Sequence, residues 1–187
     1  MAPQRIGLAL TSLLVWVAPA TADVIYQYTG HPFTDVVSPY TTADFVSGTL
    51  QVSTKLPPNQ QDIDFTGPQP GEPMLDAYTF SDGQQTFTQN NSHFNNAFVS
   101  TDSTGQITAW MLDFATGSAD IDTDNEPAVV GPGVVRDVGT QEMDVGSVFG
   151  QVLGNPGTWT LVPEPSTVTL FALGLSLLAT ATRRKKA

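Results

Sequence analysis

The sequence has no cysteine in its 187 residues and only two histidines. Without cysteine, the protein cannot form disulfides, thiolate zinc sites or cysteine nucleophiles, so a hydrophobic core must hold the fold together. His31 precedes Pro32 and His93 stands in an Asn- and Ser-rich stretch, which indicates surface positions. No P-loop, His-Glu-x-x-His, Gly-x-Ser-x-Gly or dinucleotide-binding pattern occurs. We therefore predict no catalytic residues and no enzymatic activity.

Positive charge is almost absent from residues 23–162. This segment has seventeen acidic residues against two basic ones, Lys55 and Arg136, which gives a net charge of about −15. Such a surface repels phosphate backbones and excludes nucleic acid as a partner. It attracts divalent cations and keeps an exported protein soluble.

The first 22 residues have the pattern of a secretory signal peptide. Arg5 supplies a positive start, residues 6–17 are mostly apolar, and Ala20-Thr21-Ala22 fits the small-x-small cleavage pattern. The apolar run is short for a bilayer span of about 20 residues. We therefore predict cleavage between Ala22 and Asp23 and export through the inner membrane.

The last 26 residues, "VPEPSTVTLFALGLSLLATATRRKKA", combine a proline motif, an apolar run and a basic tail. Residues 167–182 carry no charge, and with Ser166 they reach the lower limit of about 17 residues for a membrane-spanning helix. Basic residues beside a span stay cytoplasmic, so the preceding chain lies outside the membrane. The basic tail consists of Arg183, Arg184, Lys185 and Lys186.

This three-part ending resembles a PEP-CTERM sorting signal. The matching motif is Val162, Pro163, Glu164, Pro165 and Ser166, followed by the predicted transmembrane helix 167–182 and the basic tail 183–186. The resemblance implies a Gram-negative bacterium with an exopolysaccharide-associated export system. It also implies a membrane-embedded exosortase that cleaves the tail and releases the protein or transfers it to the surface. A simple C-terminal anchor with a proline-containing neck is the alternative.

Residues 23–161 are predicted to form one exported all-β domain, an antiparallel β-sandwich, with a jelly-roll-like or barrel-like form as the alternative. Short Thr-, Val- and aromatic-rich segments alternate with Gly, Pro, Asn and Asp clusters. In "VIYQYTG" and "FVSGTLQVS" every second residue is apolar, as in half-buried strands. Residues 55–73 and 120–133 are predicted to be loops.

Three hairpins are predicted in this domain. Asp82-Gly83 favours a two-residue turn that pairs Tyr78 with Phe87 and Thr79 with Thr86. The second has Gly105 in the left-handed position of its turn, and Trp110, Leu112 and Phe114 on one face. The third joins "VGSVFGQVL" to "TWTLV" through residues 154–157.

The domain also resembles a recurring group of PEP-CTERM proteins. The similarity lies in "YQYTGHPFTDV", "FVSGTLQVSTKLPPN", "YTFSDGQQTF" and "VSTDSTGQITAW". It implies a β-rich surface protein and carries no activity with it.

The acidic stretch after residue 119 is the main candidate metal site, and Asp62 with Asp64 is a weaker one. Asp120, Asp122, Asp124 and Glu126 alternate with other residues, and closely spaced oxygen ligands suit Ca²⁺. An EF-hand loop would need glycine at position 125 and an acid at 131, where the chain has Asn125 and Gly131. We predict no cofactor, with Ca²⁺ as the alternative to a solvated acidic loop.

These features predict a structural or interaction component of the cell surface or extracellular matrix, associated with exopolysaccharide or biofilm. A carbohydrate-binding module is the alternative, and it would need a row of exposed aromatic side chains. A secreted, glycoside-active hydrolase is the third possibility, because paired carboxylates can come from distant strands.

Overall fold

The computed structural model describes residues 23–67, 73–125, 135–144 and 146–162, and it contains strands and no helix within these ranges. The strands are β1 (Val24–Thr29), β2 (Asp35–Val36), β3 (Ser47–Val52), β4 (Ile63–Asp64), β5 (Leu75–Ser81), β6 (Thr86–Thr88), β7 (His93–Thr101), β8 (Ile107–Ala115), β9 (Ala119–Asp124), β10 (Arg136–Met143), β11 (Gly146–Leu153) and β12 (Thr158–Val162). No membrane-spanning helix occurs in these ranges. The predicted signal peptide and transmembrane helix lie outside them.

The strands form two antiparallel sheets, which confirms the prediction of an antiparallel all-β fold. The five-stranded sheet has the order β12-β1-β3-β5-β6, and the seven-stranded sheet has the order β2-β11-β10-β9-β8-β7-β4. From β7 to β11, each strand pairs with the next one along the chain, as in a meander. The first and last described strands, β1 and β12, are neighbours in the smaller sheet.

Aromatic side chains from both sheets meet in the core between them. Phe80 of β5 lies with its ring centroid 4.2 Å from that of Phe114 on β8, and Tyr28 of β1 lies 5.6 Å from Trp110 on β8. Offset and edge-to-face ring pairs at such distances add about 0.5–1.5 kcal/mol each beyond burial. This shared core gives the fold the two-layer form of a sandwich.

The alternating faces predicted from the sequence are confirmed. Every second side chain in β1, β3 and β8 points into the core, because successive strand residues face opposite sides. The buried set includes Tyr26, Tyr28, Leu50, Val52, Trp110, Leu112 and Phe114.

The predicted register of the hairpin around Gly83 is wrong by two residues. Phe80 pairs with Phe87 and Ser81 with Thr86, so the connection has four residues rather than two. The buried Asp82 carboxylate accepts the backbone N–H groups of Gln84 and Gln85 at 2.9 and 2.8 Å, which widens the turn. A shift of two keeps each residue on its predicted face, since the side-chain period is two.

The hairpin between β7 and β8 has the predicted turn. Gly105 has a φ of +76°, and its N–H donates to the carbonyl oxygen of Asp102 at 3.0 Å. Glycine suits this left-handed position because it has no Cβ to clash with the backbone. The loop approaches Leu56 closely, so a larger residue at 105 would meet its carbonyl oxygen.

The third predicted hairpin does not form. β11 belongs to the seven-stranded sheet and β12 to the five-stranded sheet, so residues 154–157 cross between the two layers. β12 pairs instead with β1, with Tyr28 opposite Trp159. Sequence neighbours most often pair, but a Gly- and Pro-containing connection serves equally well as a corner between sheets.

Two stretches predicted as loops contain strands. Ile63–Asp64 pairs with β7, and Ala119–Asp124 lies between β8 and β10. Aspartate is depleted in strands, so an acidic sequence argues against one. In β9 the inward positions are Ala119, Ile121 and Thr123, whose burial outweighs that preference.

Candidate functional site

The predicted sorting motif begins where the folded domain ends. Val162, its first residue, is the last residue of β12 and pairs with Ile25 of β1. Asp23, at the predicted signal-peptide cleavage site, accepts a hydrogen bond from the Gln51 amide at 2.6 Å. The two predicted processing points therefore border paired strands. The remaining predicted residues lie outside the described ones: Ala20, Ala22, Pro163, Glu164, Pro165, Ser166, Arg183, Arg184, Lys185 and Lys186.

The candidate calcium ligands fall on β9 rather than in a loop. Asp120 is exposed and Asp122 is half-buried on the outward face, whereas Asp124 at the end of the strand is almost fully buried. Glu126 lies outside the described residues. The structure thus brings two of the four candidates together on one open surface.

Arg136 is the partner of Asp122, and sequence reasoning did not single it out. The two residues are diagonal neighbours on β9 and β10, because the direct partner of Arg136 is Asp124 and that of Asp122 is Val138. The guanidinium Nε donates to Asp122 Oδ2 at 2.8 Å. A second guanidinium nitrogen, Nη2, bonds the same oxygen. Burial raises the pKa of the Asp122 carboxyl, and the Arg136 charge lowers it in part.

A third carboxylate lies beside this ion pair. Asp113 of β8 is the cross-strand partner of Asp122. Burial and the neighbouring Asp122 charge both raise the pKa of Asp113. The three aspartates and Arg136 line a shallow outward groove of about 260 Å³, together with Asn95, Val138, Thr140 and Gln151. We call this surface the acidic groove.

The acidic groove offers limited chemistry. Asp122 is already neutralised by Arg136, and among the described residues no group of three or more acidic or histidine side chains is arranged to hold a metal ion. Calcium binding through Glu126 stays a prediction. Asp113 and Asp122 are cross-strand neighbours, but these two carboxylates lie on an open sheet face rather than in the cleft that a hydrolase would need.

Two further aspartates are fully buried, and each is held by a tyrosine. The Tyr28 hydroxyl donates to Asp137 Oδ1 at 2.6 Å, and the Gly157 N–H donates to that hydroxyl at 2.6 Å. Oδ2 of Asp137 has no hydrogen-bond partner among the described residues. Burial raises the pKa of Asp137 to about 6, against the lowering effect of the Tyr28 hydrogen bond. This pair ties β10 to β1 across the core.

The second buried pair joins Asp82 to Tyr40, whose hydroxyl donates to Asp82 Oδ2 at 2.6 Å. Burial and the adjacent Asp82 raise the pKa of Tyr40. The carboxylate packs so closely on Gly139 of β10 that a Cβ there would collide with it. The pair therefore fixes the β5–β6 loop against the opposite sheet, a structural task.

Most aromatic residues fill the core instead of forming a sugar-stacking surface. A sugar-stacking surface would have to be built from aromatic side chains of the predicted strands. Of eight such residues, only Phe45 is exposed, at 36%. The buried seven are Tyr26, Tyr28, Tyr78, Phe80, Phe87, Trp110 and Trp159. The exposed aromatic row that the carbohydrate-binding alternative would need is therefore not formed by these residues. His31 and His93 are both exposed, as predicted.

Comparison with known proteins bears on the end of the domain. A family model of the PEP-CTERM protein-sorting motif matches residues 161–185, and it begins within β12. No curated protein and no solved structure matches the chain. The motif is a recognition signal for exosortase processing and implies export to the cell surface through the membrane. The resemblance seen in the sequence is confirmed, and the chain is a protein that carries the PEP-CTERM sorting motif.

Proposed function

We propose that the protein is a structural or interaction component of the cell surface or extracellular matrix, associated with exopolysaccharide or biofilm. The observation that carries this proposal is the direct junction between domain and sorting motif. The matched motif starts at Leu161, which is paired with Tyr26 inside the five-stranded sheet. No linker separates the motif from the domain. A membrane enzyme that acts at the motif therefore acts directly beside the folded domain, and this domain is what the enzyme sorts.

The tail has a transient role in this proposal. The apolar segment 167–182 and the basic residues after it hold the chain at the inner membrane until an exosortase cleaves at the motif. Proline cannot continue a helix or a sheet ladder, so we expect the prolines at 163 and 165 to favour an extended recognition segment. The released or re-attached product is the sandwich alone.

Mass spectrometry of both termini tests the sorting step. After separation of inner membrane, envelope and medium, we expect a protein that starts at Asp23 and ends near residues 162–165. Replacement of Pro163, Glu164 and Pro165 by alanine should leave the tail uncleaved. Pro156→Ala, at a proline outside the motif, is the matched control and should be processed normally. An intact tail in the inner membrane of the unaltered protein would contradict the proposal.

Deletion of the gene tests the matrix role separately. We expect altered cell aggregation or biofilm texture, restored by the unaltered chain and not by the triple-alanine variant. A deletion strain with unchanged aggregation and biofilm would refute the matrix role even if terminal processing were normal.

Calcium is a secondary proposal for the acidic groove. Two outward carboxylates, Asp120 and Asp122, lie two residues apart on β9, and Glu126 follows shortly after. Millimolar Ca²⁺ should raise the melting temperature more than equal Mg²⁺ does, and Asp120→Asn should reduce the difference. An unchanged melting curve in Ca²⁺ would end this proposal.

A further inference from the structure

The outward face of the five-stranded sheet carries an ordered array of hydroxyl groups. Its cross-strand partners line up in rows, because each residue of one strand lies opposite one residue of the next. One row runs Thr158, Thr29, Ser47, Ser81 and Thr86; the next runs Thr160, Gln27, Thr49, Thr79 and Thr88. Nine of these ten side chains end in a hydroxyl and none is charged. We call these two rows the hydroxyl face.

These positions point away from the core. The residues between them, such as Tyr28, Leu50 and Phe80, are fully buried, and strand side chains alternate between the two sides. All ten side chains of the hydroxyl face are exposed or half-buried. Neighbouring hydroxyl residues are about 4.8 Å apart across the strands and about 6.8 Å apart along them. The face is therefore a periodic grid open to solvent.

Most of these hydroxyls have unused hydrogen-bonding capacity. Ser81 donates to the Gln85 carbonyl oxygen at 2.6 Å and Thr88 donates to Asn91 Oδ1 at 3.2 Å. The other seven hydroxyls make no hydrogen bond to any residue that the structure describes: Thr29, Ser47, Thr49, Thr79, Thr86, Thr158 and Thr160. A ligand that lies across the sheet would find a hydroxyl without a hydrogen-bond partner in the described part of the chain on each of the five strands, including Thr86 on the edge strand β6.

The charge distribution selects the class of ligand. The protein carries a net charge of about −15 over residues 23–162, so anionic polymers are repelled, and the hydroxyl face has no cation to hold them. It has no carboxylate to attract a polycation either. We propose that the hydroxyl face binds a neutral polysaccharide through hydrogen bonds to the polymer's hydroxyl groups. This inference deepens the proposed matrix function, on which it rests, by naming what the sorted domain holds.

The mode of binding follows from the absence of aromatic rings in the two rows. Single hydrogen bonds at an exposed surface replace bonds to water, so each contributes little. Affinity then comes from many simultaneous contacts along a repeating chain, and short oligosaccharides bind weakly. An ice surface is a less suitable ligand, because an open sheet twists by about 20–25° per strand and leaves no planar lattice match.

Affinity electrophoresis of the full chain in mild detergent tests the inference. The probes are dextran, hydroxyethyl cellulose and soluble starch as neutral polymers, and alginate as an anionic one. We expect at least one neutral polymer to retard the protein, alginate to leave it unaffected, and a short oligomer of the same sugar to compete poorly. Retardation by none of the three neutral polymers, or equally by alginate, would overturn the proposal.

Matched variants locate the binding to this face. Thr49→Val with Thr79→Val removes two central hydroxyls while keeping their shape, and should weaken retardation at least fivefold. Thr49→Ser with Thr79→Ser keeps the hydroxyls and should retain binding. Thr140→Val, in the acidic groove, is the control and should bind normally. Equal retardation of all four proteins would place the binding elsewhere and refute the proposal.

Two further readouts separate this inference from its alternatives. A freezing-point depression beyond the colligative value, abolished in the double valine variant, would assign the face to ice and overturn the polysaccharide proposal. Exosortase processing plays no part in the electrophoresis, so a failure of sorting leaves its result intact. Normal sorting without polymer retardation would refute the inference alone.

Discussion

The hydroxyl face and the acidic groove lie on opposite outer surfaces of the same sandwich. The first has nine hydroxyl-bearing residues and no charge, whereas the second gathers Asp113, Asp120 and Asp122 around Arg136. The large negative charge of the protein is therefore not distributed evenly over its surface. Most of the acidic residues in the described ranges lie on the seven-stranded sheet, in loops and in the two buried pairs, whereas the two rows of the hydroxyl face carry none. Asp76 is the acidic residue within a strand of the five-stranded sheet.

The largest expected effect tests whether the two faces belong to one cooperative body. Phe80→Ala removes a ring from the five-stranded sheet that packs on Phe114 of the other sheet. We expect the free energy of unfolding to fall by about 3–5 kcal/mol, since the core cannot close the cavity. Urea unfolding followed by fluorescence and by circular dichroism measures it. Phe45→Ala, at a partly exposed ring, is the control and should cost much less.

The same measurement can show that the two sheets do not unfold together. If the two probes reported separate transitions in Phe80→Ala, the sheets would be independent units, and the neutral and acidic faces would not share a core.

The next effect contrasts a buried aspartate with those of the acidic groove. Burial raises the pKa of Asp137 to about 6 in the folded state, above the ordinary value of 3.8. A raised pKa means that the folded protein favours the protonated carboxyl. The stability that this preference contributes is therefore complete below pH 4. It is lost as the pH rises through 6, and the free energy of unfolding falls by about 3 kcal/mol in all. Unfolding free energies measured from pH 4 to 8 should show this loss.

Asp137→Asn isolates that contribution. The amide can still accept the Tyr28 hydroxyl, but it does not titrate, so the difference between variant and unaltered protein should change with pH between 4 and 7. Parallel pH profiles for the two proteins would show that Asp137 does not titrate in this range.

The two faces differ in how much of their structure can be predicted from the sequence. The alternation in β1 and β3 was readable because every second residue there is apolar or glycine and, apart from Ile25, the residues between them are polar. The acidic groove was not, because aspartates in β9 suggest a loop. The strand depends on the burial of its inward residues, and its outward Asp122 lies beside Arg136 and Asp113 only through cross-strand pairing. Hydroxyl rows were invisible for another reason. Thr-x-Thr pairs such as Thr86 and Thr88 show in the sequence, but the rows depend on cross-strand register.

Register and partnership escaped prediction at other places as well. The sequence Asp82-Gly83 predicts a two-residue hairpin turn, whereas in the structure the buried carboxylate of Asp82 caps a four-residue loop. Residues 154–157 have turn-forming composition whether they join a hairpin or cross between sheets. Local propensity does not decide such choices, which depend on what the rest of the fold offers as partners.

A smaller effect concerns the acidic groove itself. Arg136→Met leaves Asp122 without its counter-charge beside Asp113 and Asp120. We expect a loss of about 1–3 kcal/mol in stability, because a partly buried carboxylate loses charge-assisted hydrogen bonds. Carboxyl resonances in NMR titrations should show the pKa of Asp122 rising further. Lys55→Met, at the other base of the domain, should leave that pKa unchanged.

The smallest expected effect comes from the hydroxyl face. Thr79→Val changes an exposed side chain without altering its shape, so its effect on unfolding free energy should stay within about 0.5 kcal/mol. Asp120→Asn on the opposite surface should be equally mild, while it lowers the pKa of Asp113 by removing a nearby like charge. A large destabilisation by Thr79→Val would show that the face is structural, and would weaken its assignment as a binding surface.

The pairing of β1 with β12 has a mechanical consequence. If the tail anchors the uncleaved protein as proposed, tension on the tail enters the fold at Val162, the end of an edge strand that pairs with a single neighbour. A load directed away from the sheet edge opens the ladder one residue pair at a time, starting at the pair of Val162 and Ile25, because the inter-strand hydrogen bonds lie perpendicular to the strands. In the proposed function, the uncleaved protein is thus loaded at a strand end that lies directly beside the sorting motif. Cleavage at the motif, as proposed, removes the tail through which this load reaches the sheet, so β12 can no longer be pulled away from β1 by that route.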